Sequence, residues 1–127
     1  ARRGGVRAGD RAPDAALRDD GGATPRLFDL LRSQAHTLLL LSPDPTAAGV
    51  GATLAARYGE LLQVALVPRA GVPAPASPLP SLHDVSGALH RAYGATGPTA
   101  VLIRPDTYVG YLGAPTGVAE YLAGYLM

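Results

Sequence analysis

The sequence contains no cysteine in its 127 residues. Disulfide bonds, thiolate-bound metal sites and thiol catalysis are therefore excluded. Lysine is also absent: all eleven basic residues are arginine, and the formal net charge is only +1. Because this charge is small and not concentrated, neither nucleic acid nor anionic lipid is expected as a partner. The missing lysine, with abundant Ala, Gly, Pro and Arg, indicates a bacterial source with GC-rich coding.

Long apolar runs are missing as well. The run from Thr37 to Leu41 is far shorter than the roughly 18 to 20 residues that a membrane-spanning helix needs. The start of the chain is polar and lacks the apolar centre of a signal peptide, so we expect a cytoplasmic protein without a membrane partner. Residues 1–14 are interpreted as a linker or an extended lead-in segment. Residues 15–127 are interpreted as one domain, since a chain that is 47% hydrophobic can bury a core.

The first half of the chain predicts a strand, a helix and a second strand. Asp19 to Gly22 is a turn signal, which predicts a small hairpin or a strand followed by a loop. His36 to Ser42 is a continuous apolar run, typical of a central strand buried on both faces. Leu61 to Arg69 has the same character. Since a helical pattern separates the two runs, a right-handed parallel crossover is expected.

The helix of this crossover is predicted from Thr46 to Glu60, with Asp44 or Thr46 as its cap. Two glycines inside it, Gly49 and Gly51, weaken the helix by about 1 kcal/mol each relative to alanine. Small residues at these positions allow the helix to lie close to another backbone.

The second half of the chain predicts a loop, a short helix, a strand hairpin and a final helix. Prolines prevent regular structure in residues 70–80, and the Pro105-Asp106-Thr107 turn joins the two strands of the hairpin. The predicted elements are a helix at Ser81 to Ala92 with Asp84 or Ser86 as its cap, strands at Thr99 to Arg104 and Tyr108 to Leu112, and a helix at Pro115 to Met127.

This order of elements, with Gly97-Pro98-Thr99 leading into the hairpin, resembles the thioredoxin fold. The resemblance implies an α/β architecture: a central mixed sheet with flanking helices and a C-terminal helix, here without the redox cysteines. Pro98 matches the position at which thioredoxins and peroxiredoxins have a cis-proline. It is therefore the structural candidate that the resemblance implies.

Three segments carry a closer resemblance: "RAGDRAPDAAL", "RLFDLLRSQAHTLLLL" and "AVLIRPDTYVGYL". Together they resemble the C-terminal domain of FAD-dependent aromatic-ring hydroxylases, the phenol hydroxylase and polyketide-tailoring relatives of the para-hydroxybenzoate hydroxylase family. Gly9 to Asp14 and Arg104-Pro105-Asp106 are the distinctive matches. Where that family usually has glycine after Arg-Pro-Asp, this chain has Thr107.

The resemblance implies an upstream flavin domain in the same chain, and a parent monooxygenase, an oxidoreductase that uses FAD and NAD(P)H. No Gly-x-Gly-x-x-Gly fingerprint with the right flanks is present, so no cofactor-binding or catalytic residue is expected in this domain. The first hypothesis is a non-catalytic domain that stabilises the parent enzyme or its homo-oligomer. The alternative is a free-standing, cysteine-less thioredoxin- or peroxiredoxin-like binding module that takes a ligand beside Pro98. A third hypothesis is a cysteine-free reaction at Thr46 or Asp44.

The place of the thioredoxin thiol reads "SPDPTAAG", Ser42 to Gly49, and a structural role is expected for this loop because a threonine without a base is a poor nucleophile. An anion bound at the start of the following helix is the alternative. None of three serines stands in a Gly-x-Ser-x-Gly elbow, so no hydrolase triad is expected: Ser42, Ser81 and Ser86.

The histidines His36, His83 and His90 include no pair at the i, i+4 spacing that commonly marks a zinc site, so no metal site is expected. For His83 and His90 a solvated surface position is expected, with Asp84 as the only nearby carboxylate. Four tyrosines are expected to pack at the core margin, with a protein–protein surface as the alternative. They are Tyr108, Tyr111, Tyr121 and Tyr125.

Overall fold

The computed structural model describes residues 6–19, 21–31 and 34–126, which form six strands and four α-helices. In chain order these are β1 (Leu17–Asp19), α1 (Leu27–Leu30), β2 (His36–Leu41), α2 (Pro45–Tyr58), β3 (Leu62–Val67), β4 (Leu82–Asp84), α3 (Ala88–Ala92), β5 (Thr99–Ile103), β6 (Val109–Gly113) and α4 (Pro115–Tyr125). Within these ranges no helix is both long and apolar enough to cross a membrane.

Four strands form one mixed sheet in the order β3-β2-β5-β6. β3 runs parallel to β2, whereas β5 runs antiparallel to both β2 and β6. β2 lies between two neighbours and all six of its residues are buried, as its continuous apolar run predicts. The mixed sheet and the parallel crossover expected from the sequence are therefore present.

Successive residues of β2 point to opposite faces of the sheet, and each face has its own core. Leu39 and Leu41 pack with the side of the sheet that carries β1, β4 and α3. Leu38 and Leu40 pack with α2 and α4 on the other side. The sheet is thus covered on both faces, and its central strands supply the apolar contact area that stabilises the fold.

The helix α2 begins at Pro45, one residue before the predicted start, and Asp44 is its cap. The Asp44 carboxylate accepts a hydrogen bond from the Ala47 backbone N–H at 2.8 Å. Proline suits the first helical position, because its missing N–H has no partner there in any case. Gly51 faces the sheet so closely that a Cβ atom would lie 2.6 Å from Leu40 Cδ1. The close approach at Gly51 is to a side chain of β2 and not, as the small residues led us to expect, to another backbone.

The helix predicted at Ser81 to Ala92 is wrong in its first half. Leu82–Asp84 is a strand that pairs antiparallel with β1, so that Leu17 lies opposite Asp84 and Asp19 opposite Leu82. A short 3-10 turn at Val85–Gly87 then leads into the five-residue helix α3. The pairing joins segments more than sixty residues apart, and local spacing carries no signal for it.

The hairpin of β5 and β6 closes through the predicted turn. Thr107 adopts a left-handed backbone conformation, with φ of 73°, which glycine takes up more easily than a β-branched residue. Arg104 and Asp106 form an ion pair across the turn, with 2.6 Å between Nη2 and Oδ2. The hydrogen bond from Arg104 is the main reason that the pKa of Asp106 lies below its usual value.

The resemblance implies a cis bond before Pro98, and the structure corrects this expectation. No peptide bond among the described residues is cis, so the bond from Gly97 to Pro98 is trans. The Thr99 hydroxyl donates to the Gly97 carbonyl at 2.8 Å and closes the bend around Pro98, whose side chain is exposed. Whether Pro98 has a structural role of its own stays a prediction.

The N-terminal segment lies along the outer edge of β6. Gly9 N–H donates to the Val109 carbonyl at 2.8 Å, and Val109 N–H donates back to the Asp10 carbonyl at 2.8 Å. Ala12 is buried in the core. Residues 6–14 are therefore bonded to the domain, with a turn at residues 8–10, while residues 1–5 lie outside the described part of the chain. The division at residue 14 stays a prediction.

Candidate functional site

Three side chains from separate parts of the sequence form a continuous hydrogen-bonded row where β2 ends. His90 Nδ1 lies 2.7 Å from Asp84 Oδ2, and His90 Nε2 lies 3.0 Å from Ser42 Oγ. Asp84 and His90 are buried, with 3% and 7% of their surface exposed. Ser42 is partly exposed and lies at the end of the row that faces solvent. The row therefore joins a buried carboxylate to a surface hydroxyl.

Asp84 is held in place by the start of α3. Its two carboxylate oxygens accept hydrogen bonds from the backbone N–H groups of Leu89, at 2.9 Å, and His90, at 2.7 Å. These are N–H groups of the kind that a helix start leaves without a partner inside the helix. The sequence-based expectation that Asp84 caps this helix is therefore right in its chemistry. The same carboxylate also fixes the imidazole of His90.

The hydrogen-bond roles along the row follow from the carboxylate. An ionised carboxylate only accepts hydrogen bonds, so His90 Nδ1 carries the proton and donates it. When the imidazole is neutral, Nε2 has a lone pair that accepts a hydrogen bond from the Ser42 hydroxyl. This assignment makes His90 a base directed at Ser42 Oγ.

Ser42 has an unusual backbone. Its φ is 50°, in the left-handed region that residues other than glycine seldom occupy. Its N–H donates to the Val67 carbonyl at 2.9 Å, which fixes it at the end of the β2–β3 pair. The chain thus turns sharply between β2 and α2 and directs the Ser42 side chain toward α3.

Two neighbouring surface cavities border this row. One, of about 180 Å³, is lined by Ser42, Pro43, Pro68, Arg69, Val72 and Thr96. The other, of about 370 Å³, includes His90, and Arg69 and Thr96 line it as well. Ser42 lines the first cavity and His90 the second, and we call the two together the groove beside Ser42. Arg69 contributes a positive charge to that groove.

The structure contradicts the expected solvated position of His90. His90 is buried, and its Nε2 atom is within hydrogen-bond distance of Ser42, which lies 48 residues away in the sequence. The sequence contains no Gly-x-Ser-x-Gly elbow, but the side chains of His90 and Asp84 nevertheless form a hydrogen-bonded row with Ser42. The local signal that could have indicated this was a cap aspartate six residues before a histidine at the start of a short helix.

The other two histidines lie elsewhere. His36 starts β2 and packs edge-on against Tyr125, with 5.3 Å between ring centroids. Burial lowers the pKa of His36, and the positive charge of Arg104 lowers it further. His83 is in β4, opposite Arg18 of β1. Within residues 6–19, 21–31 and 34–126, no group of three or more acidic, histidine or cysteine side chains is placed to hold a metal ion.

Three of the four tyrosines form one aromatic row across β6 and α4. Tyr111 and Tyr121 have ring centroids 5.4 Å apart, and Tyr121 and Tyr125 are separated by the same distance. Tyr125 is 47% exposed, whereas Tyr111 and Tyr121 are partly buried. The fourth, Tyr108, lies in the hairpin turn between the guanidinium groups of Arg11 and Arg104. We name Tyr111, Tyr121 and Tyr125 the tyrosine row.

The profile of the family described as aromatic-ring hydroxylase, C-terminal, matches residues 6–126. The chain belongs to this family. A flavin-dependent monooxygenase of Mycobacteroides abscessus is 35% identical over 121 residues, which cover 94% of this chain but only 18% of that protein. The hydroxylase C-terminal domain thus spans less than a fifth of the length of this relative.

Solved structures show the fold of this hydroxylase C-terminal domain. A protein of Chlorobium tepidum named as a thiol:disulfide interchange protein superposes with a TM-score of 0.71 at 23% identity, covering 96% of this chain and 99% of the other. An exposed lipoprotein thioredoxin of Streptococcus pneumoniae superposes with a TM-score of 0.66 at 20% identity, covering 88% and 99%. The fold is thioredoxin-like, as predicted, and the sequence contains no cysteine.

The start of α2 in this hydroxylase C-terminal domain is unsuited to a flavin dinucleotide. Dinucleotide sites place the pyrophosphate against free backbone N–H groups of a glycine-rich strand-to-helix turn. Here Pro43 and Pro45 have no N–H, and the Asp44 carboxylate already accepts the Ala47 N–H. A phosphate would meet a negative charge at that position. The β2–α2 connection therefore does not fit FAD.

Proposed function

We propose that this chain is a structural domain of an FAD-dependent aromatic-ring hydroxylase and contributes no residue to oxygen insertion. The parent enzyme would use NAD(P)H and FAD to insert one oxygen atom from O2 into a phenolic or polyketide ring. The family membership and the flavin-dependent monooxygenase relative support this proposal. The supply of NAD(P)H favours a cytoplasmic location, and the composition favours a bacterial source.

The observation that carries the proposal is a thioredoxin-like fold whose thiol position is replaced by a loop with two prolines and a capping aspartate. The chemistry of thiol exchange needs a cysteine, and this sequence has none. The Asp44 cap and the flanking prolines also disfavour a phosphate cofactor at the same place. What the domain retains is a well-packed sheet covered on both faces, which suits a role in stability and assembly.

We propose that the tyrosine row contacts the remainder of the parent chain. The relative has more than four fifths of its length outside the matched region, so a large partner in the same chain is available. Tyrosine is enriched in interface anchors because it buries a large apolar ring and keeps a polar end. Tyr125 exposes 47% of its surface. A partner covering it would add apolar burial to the ring stack.

The test compares three forms of the full natural protein: unchanged, lacking this domain, and carrying Tyr121→Ser with Tyr125→Ser. We expect the last two to lose oligomeric mass in light scattering or to unfold at lower temperature. Turnover per bound flavin in the surviving folded enzyme should change little. Leu61→Ser is the matched control, because Leu61 is 54% exposed but lies in the turn between α2 and β3.

Two outcomes would contradict the proposal. If removal of the domain leaves both assembly and thermal stability unchanged, the domain has no structural role in the enzyme. If the tyrosine variant behaves like the Leu61 control while removal of the domain is damaging, the role stands but the contact surface is elsewhere.

A further inference from the structure

We propose that Ser42 is a nucleophile activated by His90, and that the groove beside it takes small acyl esters. This site is separate from oxygen insertion and does not depend on the proposed structural role. The activity would be an acyl transfer to Ser42 followed by hydrolysis. Neither the family description nor the relatives assign a reaction to these residues.

The first argument is the geometry of the row. A serine nucleophile needs a base within hydrogen-bond distance, and that base needs a third group to orient it. Ser42 Oγ to His90 Nε2 measures 3.0 Å, and His90 Nδ1 to Asp84 Oδ2 measures 2.7 Å. Asp84 is further fixed by two backbone N–H groups. All three roles are therefore filled at the required distances.

The second argument is the backbone of Ser42. Serine hydrolases of the α/β type place their nucleophile in a strained turn between a strand and a helix, which presents the hydroxyl to solvent. Ser42 has φ of 50° and lies between the end of β2 and the start of α2. Such outliers cost energy and persist mainly where the surrounding structure or a function requires them. Ser42 shares with the elbow its place between a strand and a helix and its left-handed φ, whereas Pro43, the residue after it, has no backbone N–H to offer a substrate oxygen.

The third argument is access. Ser42 lines a cavity of about 180 Å³. A cavity of this size has room for an acetyl- or propionyl-sized group. Pro43, Pro68 and Val72 give it apolar walls. Arg69 also lines the cavity and gives it a positive charge, which would attract a substrate oxygen that becomes negative during attack.

Ester hydrolysis at Ser42 needs no reagent other than the ester and water. Ser42 Oγ attacks the ester carbonyl, and its proton passes to His90 Nε2. The bond to the leaving alcohol breaks, and the alcohol oxygen takes that proton from His90. Water then attacks the acyl-serine with His90 as the base again, which releases the carboxylic acid and restores the Ser42 hydroxyl. Asp84 acts as a positioning residue, since it touches His90 and not the substrate.

The test is labelling of the full natural protein with a fluorophosphonate, followed by peptide mass spectrometry. The probe forms a bond from Ser42 Oγ to phosphorus, releases fluoride, and leaves the serine proton on His90 for transfer to solvent. We expect one predominant adduct on Ser42. The internal control is Ser86, which is exposed and also has a left-handed backbone, with φ of 58°. Equal labelling of Ser42 and Ser86, or none of Ser42, would overturn the proposal.

Variants then separate chemistry from support of the fold. Because a positioned base contributes about 100-fold or more, His90→Gln should slow labelling of Ser42 by at least that factor. Asp84→Asn should slow labelling at saturating probe while Ser42 remains the labelled residue. Release of p-nitrophenol from p-nitrophenyl acetate should stop in Ser42→Ala and continue in Ser86→Ala. Circular dichroism confirms that each variant is folded, and ester cleavage that survives in folded Ser42→Ala would refute the assignment.

Discussion

Replacing glycine by alanine should have different effects on the stability of the domain at Gly49 and at Gly51, two positions of α2. A Cβ atom at Gly49 would meet nothing within 4 Å. A Cβ atom at Gly51 would lie 2.6 Å from Leu40 Cδ1 and 3.3 Å from Val64 Cγ1. Leu40 is fully buried, so its methyl group can move away from the new Cβ atom only by displacing other core side chains. We therefore expect Gly49→Ala to stabilise the domain and Gly51→Ala to destabilise it relative to Gly49→Ala.

The magnitudes follow from two contributions. Replacing glycine by alanine in a helix interior contributes about 1 kcal/mol to the free energy of unfolding. Gly49→Ala should show this gain in full. Gly51→Ala has the same gain, but overpacking a closed core costs about 1 to 3 kcal/mol. Its net effect is then between about zero and a loss of 2 kcal/mol. The helix contribution cancels between the two variants, so their difference isolates the packing cost.

The assay is urea unfolding of both variants and of the unchanged protein, followed by circular dichroism. The expected result is a gap of about 1 to 3 kcal/mol in the extrapolated free energy of unfolding. Equal m-values in the three proteins would show that the gap reflects the folded state. Equal stability of the two alanine variants, or a higher stability of Gly51→Ala, would refute the close contact between α2 and the sheet.

Three further results are expected. Thr107→Gly should raise the free energy of unfolding by about 1 kcal/mol in urea titrations, because it relieves a left-handed φ at a β-branched residue. Leu102→Ala should cost about 2 to 5 kcal/mol in the same titration, since Leu102 is fully buried in β5, whereas Leu61→Ala on the surface should change stability little. The third concerns His36, whose pKa is lowered by burial and by Arg104, so the unfolded chain binds a proton more readily. The free energy of unfolding should therefore keep its full value above the unfolded pKa of about 6.5 and fall as the pH drops below it. This fall should be less steep in His36→Gln. If His36→Gln shows the same dependence of the free energy of unfolding on pH, the expectation is contradicted.

The part of the fold that local patterns determine could be predicted from the sequence. The continuous apolar run of β2 indicates a strand buried on both faces, and the helical spacing of α2 indicates a helix buried on one face. Both elements are close to their predicted bounds. Helical spacing predicts a helix at Leu82–Asp84, but the segment is a strand because it pairs with β1, more than sixty residues earlier in the chain. Pairing between distant segments depends on the assembled fold, so no window of sequence contains it.

The candidate site shows the same limit more strongly. Asp84 could be identified as a helix cap from its position, and the cap is real. The same carboxylate also orients the His90 imidazole, whose other ring nitrogen contacts Ser42. That contact exists only after α3 has packed on the face of the sheet near the end of β2. Residue spacing indicated a solvated histidine, and tertiary packing made it a buried base.

The cis-proline expectation failed for a related reason. The Gly97-Pro98-Thr99 step has the residues of the thioredoxin turn, and in thioredoxins that turn faces a reactive thiol. In this chain the bend is closed by the Thr99 hydroxyl on the Gly97 carbonyl. Pro98 is exposed to solvent. A residue pattern can thus persist while the backbone adopts the ordinary trans geometry.

The N-terminal segment has a consequence for the solubility of the domain. Because Gly9 and Asp10 occupy the outer hydrogen-bonding groups of Val109, part of β6 is not a free sheet edge. Free edges recruit strands from other molecules, which is a common route to aggregation. A truncation that begins the domain at residue 15 would uncover Val109 and the neighbouring backbone. The segment therefore covers part of the β6 edge, and we expect its removal to favour edge-to-edge association between copies of this chain.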